Sequence, residues 1–229
     1  MFVVGIDAAP SGWSAVFRKN TEYFTQNYNT LLELVQEHHN IDVIAIDMII
    51  GLPEIAKPGG RNTERSARKL LSPRSSVVFS APCRSAVYAK TYQQALKYSR
   101  QSGKNAVGLS KQTYNITSKI RELDALLTTH PQLQSKTYEV HPELSFWELN
   151  TKKALSSKHS PQGRSTRINL LTRTDIPCSE LIKCAKHTKD FLDACACLWS
   201  AIRIYEKQAQ HTPIPLERDK NGLRMQIYW

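Results

Sequence analysis

The sequence predicts an α/β fold in which a mixed β-sheet is flanked by helices. Two apolar runs, "FVVGID" and "DVIAID", have the length of buried strands, and they end on the acids Asp7 and Asp47. A buried strand that reaches the next one through a helix is typical of a parallel pair packed by helices. The chain has 229 residues, and we expect a single domain over residues 1–229.

The segment between these two runs contains two more strand patterns and one helix. "GWSAVFRK" and "TEYFTQN" are typical of strands, and Lys19 and Asn20 suit a hairpin turn between them. "TLLELVQEHH" has apolar residues at helical spacing, with Asn29 or Thr30 as its N-cap. The predicted order is therefore strand, strand, strand, helix, strand.

The middle of the chain, residues 54–136, is predicted to be a basic and mostly helical insertion in this domain. Helices are predicted at "RNTERSARKLL", "TYQQALKYSRQ" and "SKQTYNITSKIRELDALL", the last with Ser110 as its cap, and "SSVVFSAP" is predicted to be a short strand. The insertion has 15 Lys and Arg against 4 Asp and Glu, so it carries the whole formal net charge of +11. This excess suits a polyanion such as nucleic acid, but a solvated helical surface explains it equally well.

The C-terminal part is predicted to return to the sheet. "KTYEVHPE" predicts a strand, and Pro142 is expected to open the helix that follows it. "PQGRSTRINLL" and the longer "TKDFLDACACLWSAIRIYEKQ" predict helices, and the alternation in "NGLRMQIYW" predicts a terminal strand.

Composition limits the class of protein and its location. No apolar run approaches the roughly 18 residues of a membrane span, and no basic region precedes the first apolar run. We therefore expect a cytoplasmic protein without a membrane partner. The five cysteines are an odd number without paired zinc-type spacing, which predicts reduced thiols and no structural metal.

Four or five acids are predicted to meet at one edge of the sheet. Asp7 and Asp47 follow strands whose carboxyl ends share an edge, while Asp190 and Asp193 share one face of the long helix. Glu139, near the end of a later strand, is a fifth candidate. Such acids repel one another unless cations lie between them, and Mg²⁺ or Mn²⁺ prefer oxygen ligands. Two such ions could clamp the attacking and leaving oxygens of a phosphodiester.

Each acid also has a simpler explanation. An Asp after a strand commonly forms a turn or caps a helix. The helical acids could bond to Lys186 or Lys189 instead of a metal. His141 before a proline is typical of a cap, and Glu143 suits the first turn of a helix because of the helix dipole. The joint pattern is more specific than any one of its members.

The ordered sequence blocks resemble a known family. They are "GIDAAPSGW", "IAIDMIIGLP", "RNTERSARKLL", "SSVVFSAP.R", "GLSKQ", "EVHPELSFWEL", "SK...G...R...LL" and "DFLDACACLWSA". In this order they resemble a domain-of-unknown-function family of predicted nucleases with an RNase H-like fold, from about Gly5 to the C-terminus. The resemblance implies an RNase H-like core of the RuvC type, with metal-binding acids at Asp7, Asp47, Asp190 and Asp193. It implies that Glu139 is an extra acid specific to the family.

The sequence departs from the family pattern at two positions. Met48 stands where the family usually has a proline, a change expected to alter only the loop. Lys189 stands where the family usually has an additional Asp, so one carboxylate is absent while Asp190 and Asp193 remain.

The favoured hypothesis is a Mg²⁺- or Mn²⁺-dependent nuclease that uses two ions. Asp7 would bridge the ions, Asp47 and Asp193 would complete their sites, and Asp190 or Glu139 would assist. Lys158 could stabilise developing negative charge. The residues expected to hold the nucleic-acid backbone are Arg61, Arg65, Arg68, Arg84, Lys111 and Lys158.

Two other hypotheses stay open. Lys189 gives weight to a nucleic-acid-binding module without catalytic activity on the same fold. An actin-like or sugar-kinase-like phosphotransferase would place Ser11 and Gly12 at phosphate, but a second glycine-rich phosphate loop is missing from the sequence. A homodimer is an open alternative for the assembly, since junction-cleaving relatives in the superfamily are dimers.

Overall fold

The structure, a computed structural model, describes every residue from Met1 to Trp229 and divides into two compact units. The first unit consists of Met1–Met48, Ser135–Gln210 and Tyr228–Trp229. The second consists of Ile49–Gln134 and His211–Ile227. No helix in either unit combines the length and apolar character required to cross a membrane.

The elements alternate in the manner of an α/β protein. The strands are β1 (Phe2–Ala9), β2 (Gly12–Lys19), β3 (Glu22–Tyr28), β4 (Val43–Ile46), β5 (Thr137–Val140), β6 (His211–Arg218) and β7 (Arg224–Tyr228). The helices are α1 (Leu31–Glu37), α2 (Asn62–Leu70), α3 (Arg84–Val87), α4 (Tyr92–Gln101), α5 (Lys111–Asn115), α6 (Thr117–Thr129), α7 (Pro131–Gln134), α8 (Pro142–Leu149), α9 (Pro161–Leu171), α10 (Cys178–Leu181) and α11 (Thr188–Tyr205). Short 3₁₀ turns lie at Ser75–Val77 and Ile182–Cys184.

The first unit contains a mixed sheet flanked by helices, which confirms the predicted α/β class. Its strands lie in the order β3-β2-β1-β4-β5. The β1–β2 and β2–β3 pairs are antiparallel, whereas β1–β4 and β4–β5 are parallel. Helix α11 packs across β1, β2 and β4, and its apolar residues form much of the core with those strands. The predicted order of strand, strand, strand, helix, strand is confirmed, with Thr30 as the cap of α1.

The second unit has more residues in helices than in strands, and it is strongly basic. It contains helices α2–α7 and, apart from Tyr228, the strands β6 and β7. It has 17 Lys and Arg against 6 Asp and Glu, so its formal charge is +11 and that of the first unit is zero. The half-buried Arg84 guanidinium holds part of this unit together, because it bonds to both Asp124 and Asp219 at 2.6 Å.

Two predictions in the second unit were wrong. "SSVVFSAP" is not a strand, because the Val78 carbonyl accepts bonds from the Arg68 side chain instead of a neighbouring strand. The helix predicted after Ser110 is two helices that meet at Ile116. The Thr117 hydroxyl donates to the Tyr114 carbonyl there, and such a bond competes with regular helical pairing.

Strand β6 was absent from the predicted elements. Its sequence contains Pro213 and Pro215, which usually argue against a strand. The strand is the last in its sheet order, where a missing N–H interrupts no central ladder.

Candidate metal centre

Three carboxylates converge in the first unit. Asp7 lies on β1, Asp47 follows β4 directly, and Asp193 lies on α11. One oxygen of each lies within 4.8 Å of the others. Ile6 pairs with Ile46 in the parallel β1–β4 ladder, so the next residue on each strand is an aspartate at the same level. Of the four acids predicted to bind metal, Asp7, Asp47 and Asp193 therefore lie together.

Gly5 explains how the helix reaches the sheet. A Cβ atom at Gly5 would lie 2.0 Å from the Leu198 nitrogen and 2.2 Å from the Ala194 oxygen. The backbone of α11 therefore lies directly on β1, which is possible only without a side chain at this position. Since Asp193 precedes Ala194 and Asp7 lies two residues beyond Gly5 on the same face, this approach brings the two acids together.

The cluster is buried, and its acids repel one another. Asp7 is 8% exposed and Asp193 is 2% exposed. Burial, with the neighbouring Asp47 and Asp193 charges, raises the pKa of Asp7 well above its usual value. Burial and the Asp193 charge raise the pKa of Asp47 to about 7. A divalent cation among these oxygens would remove both the desolvation penalty and the repulsion.

Lys158 supplies a positive charge at this centre. Its Nζ donates to Asp193 Oδ2 at 2.6 Å. Burial alone would lower the pKa of Lys158, but the Asp193, Asp47 and Asp7 charges raise it above the ordinary value. Lys158 is therefore held as a cation beside the acids. The loop that carries it packs closely on α9, because a Cβ atom at Gly163 would lie 2.0 Å from the Ser157 oxygen.

A small cavity of about 10 Å³ adjoins Asp193 and is surrounded by cations. Besides Asp193 and Leu192, its lining residues are Lys158, Arg164, Arg167 and Lys189. This volume corresponds to about one water-sized sphere. Of the four cations, the sequence analysis gave Lys158 a role with substrate and named Lys189 as a possible partner of the helical acids. Arg167 was visible as the arginine of the "SK...G...R...LL" block, but Arg164 had no signal beyond its charge.

Arg167 is fixed by a buried ion pair. It donates to Glu143 Oε1 at 2.5 Å, and its guanidinium lies 5.3 Å from the Phe146 ring centre. The Glu143 charge also contributes to the raised pKa of Asp47. Glu143 therefore does more than stabilise the first turn of α8, because it also holds Arg167 in place. His141 does cap that helix, since its Nδ1 accepts the Glu143 N–H at 3.3 Å.

The two remaining predicted acids lie outside the three-carboxylate cluster. Asp190 is half-buried one turn before Asp193, and burial raises its pKa. Glu139 pairs with Ile46 in the β4–β5 ladder. Because side chains alternate along a strand, Glu139 faces away from Asp7 and Asp47. Its predicted catalytic role stays a prediction.

All four arginines expected to hold nucleic acid have partners within the second unit. Arg61 is 5% exposed and pairs with Glu64, while Arg84 pairs with Asp124 and Asp219. Arg65 and Arg68 donate to backbone carbonyls. Lys111, in contrast, is exposed. These contacts show that Arg61 and Arg84 stabilise the fold of this unit, whatever else the unit binds.

The class of protein is thus an α/β protein with a buried three-carboxylate centre beside a group of cations. The chain belongs to the family described as "Protein of unknown function (DUF429)", whose model matches residues 5–218. This confirms the expected membership of a domain-of-unknown-function family. No curated protein and no solved structure gives a significant match.

Proposed function

We propose that this protein is a Mg²⁺- or Mn²⁺-dependent nuclease that hydrolyses phosphodiester bonds of nucleic acid. The observation that carries the proposal is the convergence of Asp7, Asp47 and Asp193 within 4.8 Å, with basic side chains beside them. An RNase H-like fold, a cytoplasmic location and the option of a homodimer belong to the same proposal.

The residues fit a hard divalent cation. Carboxylate oxygens are the ligands that Mg²⁺ and Mn²⁺ prefer. Burial and the repulsion from Asp193 raise the pKa of Asp47, and a bound cation would offset both effects by attracting the carboxylates. Asp7, Asp47 and Asp193 would hold the metal. When bound, the ions would supply an activated water and neutralise charge on the phosphate.

The chain's own cations would bind and orient the scissile phosphate. Lys158 lies against Asp193, and Arg167 is rigid because of its pair with Glu143. Rigid cations stabilise charge that develops in the transition state without having to reorganise. Arg164 and Lys189 would add electrostatic attraction on the same side of Asp193. The +11 charge of the second unit supports a polyanionic substrate.

Cleavage of a mixed panel of nucleic acids tests this proposal. Single strands, duplexes, DNA–RNA hybrids and branched junctions would be incubated with the protein and Mg²⁺ or Mn²⁺. We expect metal-dependent cleavage of at least one class, abolished by Asp7→Asn. Asp175→Asn is the matched control, because Asp175 is exposed and lies outside the cluster. Absence of cleavage across the panel with either metal would contradict the proposal.

A nucleic-acid-binding module without catalytic activity is the second candidate. The observation that favours it is the Lys158–Asp193 ion pair, which already neutralises part of the cluster without a metal. It predicts salt-sensitive binding that is equal in the native protein and in Asp7→Asn, with no turnover. The cleavage panel therefore separates the two candidates.

A further inference from the structure

The second unit contains a cavity of about 400 Å³ that has no part in the proposed nuclease centre. Residues 76–82 and 107–113, two segments far apart in the chain, form most of its wall. Its base includes Ala56 and Leu109, which belong to the buried core of the unit. Eight of the sixteen lining residues are polar or charged, so the wall offers both apolar contact and hydrogen-bonding groups to a small molecule.

Arg68 gives this cavity a fixed positive charge. Its guanidinium makes four hydrogen bonds, all to neutral acceptors: Val78 O twice, Gly59 O and Ser80 Oγ, at 2.5–3.1 Å. A guanidinium has five N–H donors. Four of them are used, and the fifth is the second N–H of Nη1, the nitrogen that donates to Gly59. No carboxylate pairs with Arg68. The group is therefore held in place, positively charged and left with one N–H donor for an anion.

No acid lies in the wall of this cavity to neutralise it. Its lining contains Lys57 and Arg68 but no Asp or Glu. The acids of the second unit bond elsewhere, to residues outside the cavity: they are Glu54, Glu64, Glu122, Asp124, Glu217 and Asp219. An anionic ligand would therefore meet attraction without a competing carboxylate.

An aromatic ring completes the rim. Phe79 lines the cavity and is 45% exposed, which is unusual for a phenylalanine in a folded chain. Val107 lies on the same rim and is 37% exposed. Exposed aromatic rings beside cations are the means by which proteins stack a nucleobase and hold its phosphate.

We propose that this cavity binds one nucleotide, with its base against Phe79 and its phosphate at Arg68 and Lys57. Two sources share this chemistry, a free mononucleotide and one unit of a single strand, and the probes below distinguish them. The proposal goes beyond the nuclease activity, because it uses no residue of the acidic centre.

Equilibrium binding of the full chain tests the site. The probes are AMP, adenosine, inorganic phosphate and a short oligoadenylate strand, each in the absence of divalent metal. We expect AMP to bind more tightly than either adenosine or phosphate. Phe79→Ala and Lys57→Ala should each weaken AMP binding about tenfold, as loss of a stacking or phosphate contact does. Both side chains are exposed, so the fold tolerates their removal.

Two variants in the same unit serve as controls. Tyr98→Ala removes an exposed aromatic ring, and Lys104→Ala removes an exposed cation, both outside the cavity. Each should bind AMP as the native protein does. A strand that binds while AMP does not, and that is weakened by Phe79→Ala and Lys57→Ala, would identify the source as a nucleic acid.

Two results would overturn the site. One is binding of neither AMP nor the strand, and the other is equal binding by the native protein and both cavity variants. Asp7→Asn separates this proposal from the nuclease, because it should abolish cleavage and leave AMP binding unchanged. Failure of cleavage with intact AMP binding would therefore contradict only the proposed nuclease activity.

Discussion

Lys158 bonds to one of the three carboxylates and acts electrostatically on the other two. Its Nζ donates to Asp193, and its charge lowers the pKa of both Asp7 and Asp47 against the effect of burial. In the metal-free protein this cation offsets part of the effect of burial, although the pKa of both acids stays raised. With substrate present, the same ammonium group would be available to the phosphate. These two roles predict different consequences for metal binding and for catalysis.

Lys158→Met should separate binding from turnover. We expect cleavage to fall by about 10²-fold, as it does when a charge-stabilising donor is removed. Mn²⁺ affinity near pH 8 should be unchanged or higher, because a repelling cation has been removed. Lys153→Met, at an exposed position of the same unit, should change neither quantity. Loss of Mn²⁺ binding in Lys158→Met would contradict this role.

Asp47 predicts an unusual pH dependence of stability. Its pKa in the folded state is about 7, against 3.8 for the ordinary side chain, so between these values the folded state holds more protons than the unfolded state. Stability of the metal-free protein should therefore fall as pH rises through this window. We expect a loss on the order of 2 kcal/mol between about pH 5 and pH 8.

Urea unfolding at the two pH values, with and without Mg²⁺, measures this effect. Asp47→Asn should flatten the dependence, whereas Asp175→Asn should leave it unchanged. Mg²⁺ should restore stability at the higher pH, because it binds the ionised acids of the folded state. If the stability of the metal-free native protein instead rises across this pH window, burial does not destabilise the ionised acids.

At the scale of elements, the close contact between β1 and α11 positions the centre. The helix contributes Asp193 only because its backbone reaches the strand at Gly5. The sequence could identify both elements from their patterns. It could not predict this contact, because the distance between two elements depends on side chains that are far apart in the chain.

Gly5→Ala should therefore damage the centre without touching an acid. The added methyl group meets backbone atoms at 2.0–2.2 Å, so the helix must move away. We expect a loss of about 3 kcal/mol in the free energy of unfolding, typical of a severe overpacking, and weaker Mn²⁺ binding. Gly103→Ala is the control, since its nearest neighbour is the flexible Ile55 side chain at 3.0 Å. Native stability in Gly5→Ala would contradict the proposed close contact.

The sequence could predict for a physical reason that Asp7 and Asp47 lie together. Both are local features, each an acid that ends a continuous apolar run, and parallel pairing through one helix brings such ends together. Glu139 also lies near the end of an apolar strand, but it pairs with Ile46, the residue before Asp47. A shift of one residue reverses the face, and the sequence does not reveal it.

At the scale of the whole molecule, charge is divided between the two units. The second unit carries +11 and the first carries zero. The basic segment was visible in the sequence at residues 54–136. The compact second unit also contains residues 211–227, which local patterns could not associate with a segment about 80 residues earlier in the chain.

This division predicts which lysines govern the salt dependence of nucleic-acid binding. Replacing Lys97, Lys104 and Lys111 of the second unit by Gln should reduce the slope of log K against log salt by up to about one for each contacting lysine. The same change at Lys153, Lys183 and Lys207 of the first unit should alter the slope less. Fluorescence anisotropy over a salt series measures both. An equal reduction in the two triple variants would show that the charge division does not direct binding.

The most direct test of the account is a calorimetric titration of the metal-free protein with Mn²⁺ at about pH 8. The account predicts saturable binding in the native protein and in Asp175→Asn, and a loss of at least about tenfold in affinity in Asp7→Asn, because one ligand has been removed. The contradicting result is equal Mn²⁺ binding in the native protein and Asp7→Asn, or no binding in either. In that case the three carboxylates at the edge of the sheet would have to be explained without a metal.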